Sequence, residues 1–113
     1  MSSPRPLAGV TVLEIGHSVA APFAGMILGE LGADVVKLEK PGTGDDARGW
    51  GPPFWDGASS LFQQMNRGKR GITVDFTDAG QVGDLRRFVG ERATVISWCS
   101  PATIGCFSAC AMR

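Results

Sequence analysis

Between Val10 and Glu39 the spacing of apolar positions changes twice. Val10, Val12, Leu13 and Ile15 form a β-branched-rich run that closes at Gly16, and Val35, Val36 and Leu38 form a second. Between them Phe23, Met26, Ile27 and Leu31 recur at helical spacing, which predicts one apolar stripe facing a core. Pro22 suits the first helical position, where a missing N–H costs nothing. Gly32 suits the left-handed position just past the helix end. The order predicts one βαβ crossover, and so a parallel strand pair covered by its helix.

The pattern weakens downstream and then returns. Met1 to Pro6 is a polar lead-in. The run PGTGDDARGWGPPFWDGASS has no sustained period and predicts a long loop. Its Trp50, Phe54 and Trp55 argue against disorder, because such side chains need a surface to pack on. Leu61 to Asn66 predicts a short helical turn, and Ile72 to Phe76 a third strand. Asp78, with Gln81 three residues on, resembles a capping box. It opens a helix carrying Val82, Leu85, Phe88 and Val89, with Arg86 and Arg87 toward its C-terminal end and Gly90 as its stop. Gly80 and Gly83 weaken that helix, each by about 1 kcal/mol relative to alanine. Ala93 to Trp98 suits a fourth strand. The expected fold class is α/β, a partial Rossmann-like parallel sheet with the βαβ unit at its core.

Composition narrows the function. The 113 residues suffice for one small domain, and the net charge of zero points to neither nucleic acid nor an anionic membrane surface. Glu14 interrupts the first apolar run, so no secretory signal is read and a reducing cytoplasm is the expected compartment. From Ala93 to Met112 there is no Asp, Glu, Lys or Arg, yet Ser97, Ser100, Pro101, Thr103, Gly105 and Ser108 make this a poor membrane span. Cys99, Cys106 and Cys110 match no zinc spacing and read as free thiols, so no metal is expected.

The first strand-to-helix turn, GHSVAAP, is the place to look for chemistry. In open α/β sheets ligands bind beyond the carboxyl ends of the strands, where helix N-termini present N–H groups to anions. Gly16 lacks the further glycines of GxGxxG, so a dinucleotide fingerprint is absent. His17 reads as a hydrogen-bonded structural residue. Lys37 reads as a solvated surface lysine, whereas Lys40, at the strand end, can meet a phosphate or adenine. The Arg67, Lys69 and Arg70 cluster reads equally as a phosphate site or a solvated run. Asp45, Asp46 and Asp56 read as turn residues.

The motifs carry a resemblance. PLAGVTVLEIG, LGADVVKLE, GTGDDARGWGPPF and NRGKRGITVDF, together and in this order from about Pro6 to Ala93, resemble the N-terminal part of class III CoA-transferases, the CaiB/BaiF family. The same family fold hosts α-methylacyl-CoA racemases, and the GDDARGWGPPF loop is more similar to the transferase branch. The resemblance implies a large Rossmann-like domain, a smaller second domain and interlocked homodimers. It implies acyl-CoA and carboxylic acid substrates, with coenzyme A as a substrate and not as a permanent cofactor. It places Val19 and Ala20 on CoA through backbone groups, Lys40 near the adenine, and Val74, Asp75, Phe76 and Thr77 along the same nucleotide. An aspartate nucleophile would pass the acyl thioester through a mixed anhydride to an aspartyl-CoA thioester.

The family is severalfold longer, and its nucleophile has no match here, so no catalytic residue is assigned. After Ala93 the family's Asn and following aromatic are replaced by ATVISWCSPATIG. The reading that follows is a truncated or frame-shifted product. It has a partial CoA-binding domain over residues 1–98 and an atypical Cys-containing tail over 99–113, inactive alone. The alternatives are a non-catalytic nucleotide-binding fragment and a racemase-type epimerase.

Overall fold

The computed structural model describes residues 3–99. Of the expected tail over 99–113, Cys99 is described, and residues 100–113, with Cys106 and Cys110, lie outside the described residues. Four strands form one parallel sheet: β1 (Thr11–Gly16), β2 (Asp34–Glu39), β3 (Arg70–Thr73) and β4 (Val95–Cys99), in the spatial order β3-β2-β1-β4. Helix α1 (Ala20–Glu30) makes the β1-to-β2 crossover, and α3 (Ala79–Glu91) makes the one from β3 to β4. A short helix, α2 (Ser60–Met65), and a two-rung antiparallel hairpin (Phe54–Trp55 with Ala58–Ser59) belong to the long loop.

Strand alternation sorts the sheet into two unlike faces. Leu13, Ile15, Val36 and Leu38 join Val74 and Leu85 in an apolar cluster on the α3 side. The opposite parity, Val12, Glu14, Val35 and Lys37, is equally buried. That side faces α1, whose Gly25 abuts Glu14 and whose Gly29 approaches Val35. In the β1–β2 register Glu14 stands opposite Lys37, so a charged pair crosses the centre of the sheet. The expected solvated Lys37 is therefore corrected: its side chain is only 2% exposed.

The helix α1 also departs from its expected stripe. Its buried residues are the small ones, Ala21, Pro22 and Gly25, while Phe23, Ile27 and Leu31 stay exposed. A helix laid over a carboxylate must come close, and only small residues allow that. Pro22 occupies the third helical position and not the first, still within the turn whose N–H groups have no intrahelical acceptor. The C-terminal end is as expected. Gly32 has φ +108°, its N–H donates to Gly29 O, and the Ala33 N–H donates to Leu28 O.

Several boundaries shift, among them the fourth strand, which is Val95–Cys99 and not Ala93 to Trp98. The third strand is Arg70–Thr73, not Ile72 to Phe76, because β2 ends at Glu39 opposite Thr73 and offers nothing further to pair with. The helix α3 runs through Gly90 to Glu91. Asp78 caps it as expected, accepting from the Gly80 and Gln81 N–H groups, while the Gln81 side chain accepts from Asp75 N–H. In the long loop, Trp50, Phe54 and Trp55 are exposed and do not anchor it. That work falls to Ala47, Ala58 and Phe62, a small separate core.

Candidate functional site

At the carboxyl ends of β1 and β2 a cleft of about 300 Å³ opens. Ile15, Gly16 and His17 come from the end of β1, and Leu38, Glu39 and Lys40 from the end of β2. Gly44, Asp45 and Asp46 form a further wall, and Phe76 closes the side toward β3. Apolar Ile15, Leu38 and Phe76 suit a flat, partly apolar ligand, and Lys40 shares the rim with the carboxylates of Glu39, Asp45 and Asp46.

Beneath this cleft lies a neutral set of four buried charges. The Lys37 ammonium is 3.2 Å from Glu14 Oε1 and 2.9 Å from Asp45 Oδ2, and donates to Gly16 O at 3.0 Å. The Lys69 ammonium is 2.7 Å from Glu14 Oε2, and donates to Pro22 O at 2.8 Å and Asn66 Oδ1 at 2.9 Å. Each ammonium thus lies close to three oxygens, two of them hydrogen-bonded to it and the third, Asp45 Oδ2 for Lys37 and Glu14 Oε2 for Lys69, held as an ion pair. Glu14 is shared between two lysines, which offsets the heavy cost of placing a carboxylate away from water. Burial lowers the Lys69 pKa, and Glu14 opposes that only in part.

Asp45 ties this set to the loop. Its Oδ1 accepts from Ser18 N–H and from Ala47 N–H, both at 2.9 Å. Burial alone would raise the Asp45 carboxyl, but those two N–H groups and Lys37 outweigh it and hold the pKa below the ordinary carboxylate range. Glu39 behaves alike. Burial pulls it upward, and the Arg48 guanidinium and the Asp45 N–H bring it below its ordinary value. Arg48 binds both Glu39 oxygens at 2.8 Å and lies 4.1 Å from the centre of the Phe62 ring.

The expected site residues do not all converge. Lys40 and Phe76 line the cleft. Val19 and Ala20 sit beside it at the start of α1, both exposed. Val74 is buried in the apolar cluster, and Asp75 accepts from the Thr77 N–H and hydroxyl at the following turn. Lys40 pairs with Asp46 at 2.9 Å, and both stay exposed. His17 lines the cleft, and its Nδ1 is 3.0 Å from Ser18 Oγ. The basic cluster is dispersed: Arg67 pairs with Glu30, Arg70 with Asp34, and Lys69 turns inward. Sequence reading missed Glu14, Lys37 and Asp45 as one unit, although the matching of VLEIG against VVKLE was a usable signal. Among the described residues no group of three or more His, Cys, Asp or Glu is arranged to hold a metal ion, and no helix is long and apolar enough to cross a membrane.

Comparison with known proteins gives one consistent picture. The profile of CoA-transferase family III matches residues 7–103. Succinyl-CoA:glutarate CoA-transferase of Mus musculus is 46% identical over 93 residues, covering 82% of this chain and 20% of the mouse protein. Succinate--glutarate CoA-transferase of Agrobacterium fabrum is 40% identical, covering 80% of this chain and 24% of its own length. Acetyl-CoA:oxalate CoA-transferase of Acetobacter aceti is 41% identical over 75 residues. A solved CaiB/BaiF family protein from Brucella suis superposes with a TM-score of 0.83 at 38% identity, over 98% of this chain and 29% of that one. The chain therefore spans about a fifth to a quarter of the length of the curated relatives it matches.

Proposed function

Because this chain belongs to CoA-transferase family III, we propose that it carries the coenzyme A end of an enzyme that moves CoA from an acyl-CoA to a free carboxylic acid. The observation that supports this is the cleft at the carboxyl ends of β1 and β2, with an apolar wall and the exposed Lys40 at its rim. Ligands of open α/β sheets bind at such an edge. The relatives point the same way. They are named for glutarate or oxalate, and all are CoA-transferases, which supports CoA as the ligand of the part they share with this chain.

In this reading the adenine lies against Leu38 and Phe76 and the phosphates face Lys40 and the α1 N-terminus with Val19 and Ala20. An N–H-rich helix start and a lysine both favour negative charge. Turnover through an aspartyl thioester needs the nucleophile that the family resemblance locates outside these 113 residues. The donor we propose is a dicarboxylic acyl-CoA such as succinyl-CoA, acting in the cytoplasm within a homodimer of the full-length kind.

Titration calorimetry of the 113-residue chain tests the reading. CoA should bind, and pantetheine, which lacks the 3′-phospho-ADP part of CoA, should bind far more weakly. Equal heats for both, or none for CoA, would remove the proposed site.

A further inference from the structure

We infer that the buried pair Lys37 and Asp45 positions the CoA-binding turn by gripping it at both ends, an inference that rests on the CoA reading above. Lys37 donates to the Gly16 carbonyl at 3.0 Å, and Asp45 accepts the Ser18 N–H at 2.9 Å, while the two side chains meet at 2.9 Å. The bridge spans the turn from the last residue of β1 to the residue before the α1 cap. Ser18 needs such a grip. Its φ is +72°, a left-handed conformation unfavourable for a residue with a Cβ, and one that persists when the surroundings over-determine it.

The same carboxylate sets the opposite wall. Asp45 Oδ1 also takes the Ala47 N–H, and the Asp45 N–H donates to Glu39 Oε2 at 2.9 Å. The Asp45 carboxylate thereby ties Ser18 to Ala47 and to Lys37 of β2, while Lys37 holds Gly16 and the Asp45 backbone N–H holds Glu39, and these segments supply most of the cleft. Lys37 does not line the cleft, and Asp45, which does, is almost fully buried with its carboxylate turned to Lys37, Ser18 and Ala47, so both act through what they hold. They are positioning residues. Their effect should appear in affinity, beyond any effect on stability.

The test compares Asp45→Ala, Asp45→Asn and Leu85→Val in the 113-residue chain. Leu85 belongs to the apolar cluster under α3 and does not line the cleft. CoA affinity is measured by calorimetry at a temperature where each variant is folded, and Ser18 amide exchange by NMR. Asp45→Ala should weaken CoA binding at least tenfold and leave the Ser18 amide unprotected. Asp45→Asn, which keeps an oxygen for that N–H but turns an NH2 toward the Lys37 ammonium, should recover the affinity only in part, and Leu85→Val should stay within twofold of the unaltered chain. Unaltered affinity in a folded Asp45→Ala would overturn the inference while leaving the CoA reading intact. Failure of the unaltered chain to bind CoA would overturn the CoA reading first. Should Asp45→Ala not fold, the free unaltered chain decides: a Ser18 amide exchanging at the rate of an open loop contradicts the grip.

Discussion

Gly25 of α1 lies directly over the carboxylate of Glu14, so that a Cβ at Gly25 would land on Glu14 Oε2 and stand 3.2 Å from the Lys69 ammonium. The glycine is the space that a buried carboxylate between two lysines requires. It also explains why α1 turns its small residues inward.

Gly25→Ala should therefore destabilise the chain although alanine is the better helix former. The gain in propensity is about 1 kcal/mol, and forcing a methyl group into a packed charge cluster costs about 1–3 kcal/mol or more. Gly29→Ala is the control, since a Cβ there meets only Val35 Cγ2 at an ordinary 3.6 Å. Urea denaturation should show Gly25→Ala less stable and Gly29→Ala unchanged or more stable. The reverse order would mean that α1 does not sit over Glu14 as described.

Glu14→Gln removes the one charge that two buried lysines share. Breaking a buried ion pair costs about 3–5 kcal/mol, a large share of the roughly 5–15 kcal/mol that holds a small domain together. We expect Glu14→Gln to be largely unfolded by circular dichroism at 25 °C. Glu14→Gln combined with Lys69→Met, which restores neutrality, should regain part of the loss. A single variant as stable as the unaltered chain would show that the cluster is not electrostatically coupled.

The fold was legible where local chemistry decides it. Gly32, Asp78 and the two β-branched runs act through their own neighbours, and each stands where the pattern put it. What could not be read depended on tertiary partners. A strand buried on both faces has no polar side to alternate with, so Lys37 in VVKLE looks like surface until Glu14 is set opposite it. Asp45 reaches that pair from a loop eight residues downstream of Lys37, and no periodicity connects loop to strand. Phe23, Ile27 and Leu31 were misplaced because the size of a residue says nothing of whether the sheet below it carries a charge.

Acid should unfold the chain through Asp45 and Glu39. Both have folded-state pKa values below their ordinary ones, so the folded state binds fewer protons than the unfolded. Their stabilisation is complete above the unfolded carboxylate values of about 4 and is lost as pH falls through the lowered folded values. Urea midpoints should hold from pH 7 to 5 and drop steeply below about pH 4. Glu39→Gln should flatten that drop, and an unchanged profile would exclude Glu39 as a contributor.

Lys40→Ala should separate binding from folding. The Lys40–Asp46 pair is exposed on both sides, so its loss should change stability by no more than about 1 kcal/mol. If Lys40 meets a CoA phosphate, its loss weakens binding by about 1–3 kcal/mol. Calorimetry giving the same dissociation constant for both proteins would exclude Lys40 from the site.

The central claim is that the cleft at the carboxyl ends of β1 and β2 receives coenzyme A. Titrating CoA into the uniformly ¹⁵N-labelled chain and following amide shifts tests it most directly. Saturable shifts should concentrate at Gly16 to Ala20, Leu38 to Lys40, Gly44 to Asp46 and Phe76. Shifts clustered instead on the groove between β3 and α3, around Ile72, Gln81 and Phe88, or no saturable shifts at all, would contradict it.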